Sequence, residues 1–94
     1  MKKKDLESGM WAQSRNGQMY MVIKNSEFEI FAGRMEFINL SSFNDNLVII
    51  KNDHPAYRGL DIVKVFKPTN LAFVVDGARL ELICEINKYG YVDE

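Results

Sequence analysis

The chain holds one cysteine, one histidine and two prolines in 94 residues. A lone cysteine, Cys84, excludes an internal disulfide, which fits a reducing compartment. A lone histidine, His54, excludes a two-histidine metal site, and Cys84 with His54 is too few for zinc ligation within one chain. The glycines at 9, 17, 33, 59, 77 and 90 stand singly, so neither GxGxxG nor a P-loop is present to cradle a nucleotide. No run approaches the roughly 18 apolar residues of a membrane-spanning helix. Lys2-Lys3-Lys4 is followed by Asp5-Leu6-Glu7-Ser8 and not by the apolar stretch of a signal peptide. The formal net charge of −1 creates no field that would recruit nucleic acid or an anionic membrane. The expectation is a soluble cytoplasmic protein with no metal, no cofactor, no membrane association and no enzymatic activity.

What is present is a globular composition, 47% apolar and 27% charged, enough for one modest core and a single domain over residues 1–94. Its stability is expected on the order of 5–10 kcal/mol. The clearest local signal is Asn16-Gly17 between two apolar stretches, the signature of a type I′ β-hairpin in which both turn residues take φ > 0. A two-residue loop opposes Ala12 to Met21 and Trp11 to Val22. Side chains alternate across a strand, so Met10, Ala12, Ser14, Met19, Met21 and Ile23 would form the core face. Trp11, Gln13, Arg15, Gln18, Tyr20 and Val22 would lie on the other.

Further along, Phe28 to Ile38 reads as a second hairpin broken at Ala32-Gly33-Arg34. Leu40, Phe43 and Leu47 change the period and suggest a short helix near residues 41–47, with Val48 to Ile50 as a short strand after it. Asn52-Asp53-His54-Pro55 reads as loop. Leu60 to Phe66 is rich in β-branched residues and reads as a strand. Leu71 to Val75, Asp76-Gly77 and Leu80 to Ile86 read as a last hairpin, with a short helix as the alternative for Leu71 to Val75. In the second arm Leu80, Leu82, Cys84 and Ile86 form an apolar alternation that buries the thiol. Lys2-Lys3-Lys4 reads as a flexible tag, and the last six residues as a frayed tail. The fold class is mainly β: a small SH3-like barrel or a strongly bent antiparallel sheet with that one short helix.

Gly9-Met10, the Arg15-Asn16-Gly17 turn, Tyr20 and Val22 are similar to the opening of a family of small phage- and prophage-encoded proteins of Gram-positive bacteria. Leu40, Phe43-Asn44, Leu47 and the strand Asp61 to Phe66 fit the same pattern. Trp11 and Cys84 depart from it, standing where an aliphatic and an aromatic residue are expected. The resemblance implies a viral origin and an SH3-like barrel, and carries no activity.

One patch suggests binding. Trp11, Arg15, Gln18 and Tyr20 interleave aromatic and polar groups on the second hairpin face, as surfaces that grip a peptide or stack bases do. The competing reading places Trp11 in the core and leaves Arg15 and Gln18 solvated. Glu81 and Glu85 read as a solvent-facing row. The leading functional expectation is a non-enzymatic protein-interaction module, and the second is a weak nucleic-acid binder using the Trp11/Arg15/Tyr20 face. A homodimer through a sheet edge at Phe28 to Phe31 is also expected.

Overall fold

The computed structural model describes residues 1–50, 59–68 and 80–87. Among these residues six strands form one antiparallel sheet: β1 (Trp11–Ser14), β2 (Met19–Lys24), β3 (Glu29–Ala32), β4 (Phe37–Asn39), β5 (Ile62–Pro68) and β6 (Leu80–Glu85). Their order across the sheet is β4-β3-β2-β1-β5-β6. The first four strands follow one another as neighbours because short polar turns join them. β5 instead crosses to the far side of β1, and so makes β1 a central strand. The protein is thus mainly β, as its alternating pattern implies. The only helical turns among the described residues are 3₁₀ turns, including Lys3–Asp5 and Leu40–Ser42.

The first hairpin differs from expectation by one residue. Trp11 opposes Met21, Ala12 opposes Tyr20 and Gln13 opposes Met19. The loop has three residues, Arg15-Asn16-Gly17, closed by the Gly17 N–H on the Ser14 carbonyl at 2.9 Å. Only Gly17 takes the left-handed conformation, at φ +93°, and Asn16 does not. A three-residue loop with glycine in that place is the next commonest hairpin closure. The physical cause lies in the neighbouring chain. Arg15 and Asn16 N–H groups donate to the carbonyls of Asp61 and Gly59 at 2.7 and 2.9 Å, so β1 pairing continues into the turn. Asn16 cannot also begin a two-residue reversal.

A slip of one residue exchanges the faces of one strand. Ala12 and Ser14 face the core as expected, but on β2 the buried residues are Tyr20 and Val22, not Met19, Met21 and Ile23.

The helix expected near residues 41–47 is replaced by the Leu40–Ser42 3₁₀ turn and a tight loop. The Asn44 side-chain oxygen accepts from the N–H groups of Asn46 and Val48 at 2.8 and 3.1 Å, which supplies a turn in place of helical bonds. Leu47 at φ 65° completes the reversal, and the expected Val48–Ile50 strand reduces to one bridge between Ile49 and Phe43. Phe43 and Leu47 are nevertheless core, as their spacing suggests. Together with Leu6, Leu40 and Ile49 they pack against the inner-face residues Ala12, Tyr20, Val22, Phe31, Ile62 and Val65. Phe31 stands edge-on to Phe43, ring centroids 5.1 Å apart.

The N-terminal lysines are not a flexible tag. Lys3 Nζ donates to the carbonyls of Phe43 and Leu40 at 2.8 and 3.3 Å, and Lys2 Nζ to Asn46 Oδ1 at 2.7 Å. These bonds satisfy carbonyls of the covering loop and brace it to the chain start. Phe28–Phe31 also departs from expectation: β3 is interior, paired with β2 and β4, and is not an edge. On β6 the apolar alternation breaks. An irregularity between Val65 and Phe66 opposes Leu82 to Phe66 and Cys84 to Val65, so Leu82 faces outward while Cys84 packs, half-buried, on the core. His54, the expected Leu71–Val75 element, the Asp76-Gly77 turn and residues 89–94 lie outside the described residues.

Candidate interaction surface

Residues opposed across strands share a face, so the register defines the outer side of the sheet. Phe37, Ala32, Met21, Trp11, Phe66 and Leu82 are successive cross-strand neighbours. They form an apolar row across all six strands, about 24 Å long at the usual strand spacing. None of the six is fully buried. Phe37 is 63% exposed and Leu82 44%. Isolated exposed apolar residues are ordinary, whereas a contiguous apolar row is uncommon on a small domain.

Beside the Ala32, Met21 and Trp11 part of this row lies a groove of about 720 Å³. Trp11, Met19, Met21 and Ala32 line it, and the β3–β4 turn, residues 33–36, forms a wall. Met35 on that turn is 95% exposed. The volume suits a ligand or a partner side-chain cluster, and three methionines supply adaptable packing.

The wall is held by Tyr20. Its ring runs so close under Gly33 that a Cβ there would come within 2.8 Å of Tyr20 Cε1. Its hydroxyl donates to Gln18 Oε1 at 2.5 Å and lies 3.3 Å from Glu36 Oε2. Burial, and then the Glu36 carboxylate and its hydrogen bond, push the phenol up to about 12. Tyr20 therefore stays neutral and serves as a donor.

The structure separates the four residues singled out from the sequence. Trp11 is on the outer row, and Gln18 lies at the groove beside it. Tyr20 is a core residue whose ring edge and hydroxyl support the groove. Arg15 lies elsewhere: its guanidinium is 3.5 Å from Asp61 Oδ2 and donates to the Asn87 carbonyl at 2.9 Å. Asp61 is 1% exposed and also accepts from the Ile49 N–H at 3.0 Å. This pair is a structural brace between the first hairpin, the covering loop and β5. Met19, Met21, Met35 and Phe37 belong to the surface, whereas the sequence favours the core for Met19 and Met21, with a Met-lined groove as the lesser alternative, and gives Met35 and Phe37 no site. The outward alternation of β2 would have shown the two strand methionines, had the register been known.

Among the described residues no group of three or more His, Cys, Asp or Glu side chains gathers as a metal site. No helix among them is long and apolar enough to cross a membrane. No family model, curated protein or solved structure matches the chain.

Proposed function

We propose that the protein is a non-enzymatic interaction module that grips a protein partner through the outer-face groove. The observation that supports this reading is the gathering of Trp11, Met19, Met21 and the exposed Met35 and Phe37 on one side of the sheet. A small domain has little apolar area to spare, and placing it outside the core costs stability unless a partner covers it. Aromatic and methionine side chains are the usual anchors of such contacts. A viral origin, which the resemblance implies, belongs to the same proposal.

The nucleic-acid reading is the weaker one. It needs Arg15 and Tyr20 beside Trp11, yet Arg15 is engaged with Asp61 and Tyr20 is buried. The row flanking the aromatics, Gln13, Lys64 and Glu85, carries no net positive charge.

Trp11 is the sole tryptophan, and its position in the groove makes it a built-in reporter. Candidate partners from the source genome, added to the purified protein, should shift Trp11 emission, and Met35→Glu should abolish the shift. The affinity should change little between low and high salt. A partner that binds both forms equally, without moving Trp11 emission, would place the interface elsewhere. Affinity for a single-stranded oligonucleotide that collapses with salt would favour the nucleic-acid reading.

A further inference from the structure

The two edges of the sheet are built differently. β6 carries Glu81 and Glu85, and its pairing with β5 has the irregularity between Val65 and Phe66. Charges and irregularities are the means by which edges refuse another strand. β4, Phe37-Ile38-Asn39, has no charge, no proline and a regular pairing with β3.

The phase of its hydrogen bonds can be read from the adjoining turn. The Gly33 N–H donates to the Glu36 carbonyl at 2.7 Å, in line with the register that opposes Phe31 to Ile38. Hydrogen-bonded pairs in an antiparallel ladder recur every second residue. Glu36 and Ile38 therefore bond to β3, Phe37 turns its N–H and C=O outward and Asn39 its N–H, while the Asn39 carbonyl, at the N-cap of the Leu40–Ser42 turn, accepts that turn's first hydrogen bond. Among the described residues, β4 pairs with β3 alone. Beside this edge a cleft of about 360 Å³ lies between Ile38 and the side chains of Ile49 and Leu60.

We infer that a second copy of the chain adds its own β4 antiparallel to this edge, about a two-fold axis at Ile38. In that register Phe37 of each copy opposes Asn39 of the other. In each such pair the Asn39 N–H of one copy donates to the outward Phe37 carbonyl of the other, two hydrogen bonds in all. Ile38 opposes Ile38 on the inner face, where the second side chain enters the cleft toward Ile49 and Leu60. No like charges meet. The three-residue edge is complementary to itself in bond phase and polarity, which a closed two-fold contact requires. The contact joins two sheets into one of twelve strands. It is small, so the dimer is weak and concentration-dependent, and it does not depend on what the outer groove binds.

Sedimentation equilibrium of the full chain from micromolar to millimolar concentration should show a monomer–dimer equilibrium. Amide exchange at Asn39 should slow as concentration rises. Asn39 has φ −67°, which a proline ring matches. Asn39→Pro removes both bonds and should weaken dimerisation on the order of tenfold or more. Should that variant fail to fold by circular dichroism, Phe37→Lys, at an exposed position, takes its place. Leu82→Lys on β6 and Met35→Glu in the groove should leave the equilibrium unchanged, so failure here is distinct from failure of the groove reading. A monomer at every concentration overturns the inference. So does a dimer insensitive to the folded β4 variant, or one that leaves the Asn39 amide unprotected.

Discussion

Two single residues carry much of the local geometry. Gly17 sits at φ +93° with no atom within 4 Å of an added Cβ, so its requirement is purely a backbone one. Gly17→Val should cost about 1–2 kcal/mol, read as a fall in thermal midpoint. An unchanged midpoint would contradict the turn. Tyr20 gives a pH signature. Its phenol ionises near 10 when unfolded and near 12 when folded. Below pH 10 both states hold the proton and the group contributes no pH dependence. Between pH 10 and 12 only the unfolded state releases it, so stability falls across that window by on the order of 2 kcal/mol. Tyr20→Phe should remove that component, seen as a shallower alkaline loss in urea titrations at successive pH values.

At the scale of elements, the covering loop is joined to the sheet by polar contacts as well as by its apolar side chains. Asp61 receives the Ile49 N–H from the loop and faces Arg15 from the first hairpin. Asp61→Ala would leave a buried N–H without its acceptor and a partly buried cation without its carboxylate. The expected loss is about 2–4 kcal/mol in urea unfolding. A loss below about 0.5 kcal/mol, the range of ordinary surface substitutions, would show that the brace contributes little. Asn87 adds to the same junction, donating to the Ile62 and Asn46 carbonyls at 2.8 and 3.0 Å. The loop is thereby tied to β5 and to the chain beyond β6.

Over the whole molecule, the sheet has a dry face and an apolar outer face, and the two should respond differently to truncation. Phe31 and Phe37 lie on adjacent strands. Phe31 is fully buried against Phe43 and Tyr20, whereas Phe37 stands on the outer row. Phe31→Ala should cost about 3–5 kcal/mol, and Phe37→Ala less than about 1 kcal/mol. Comparable losses would mean that the outer row is covered within the monomer, which would remove the basis for a docking surface there.

The sequence by itself determined where the chain extends and where it reverses. β-branched and aromatic residues placed a strand over Ile62 to Phe66, which starts two residues later than expected and runs on to Pro68, Gly33 divided the second hairpin, and the spacing of Phe43 and Leu47 marked both as core. Local chemistry suffices for these because propensity and turn preference act within a few residues. Tertiary structure decided the rest. The register of the first hairpin depends on backbone bonds from Arg15 and Asn16 to Asp61 and Gly59, some forty-five residues away in the chain. No local signal encodes those bonds, yet a one-residue slip moved Tyr20 inward and Met19 and Met21 outward. The helix expected near residues 41–47 gave way because Asn44 and Lys3 satisfied the loop's backbone groups in another way. The candidate surface has the same origin. Its row of Phe37, Ala32, Met21, Trp11, Phe66 and Leu82 draws on five separate pairings, and side chains so distant in sequence become one face only when the sheet has formed.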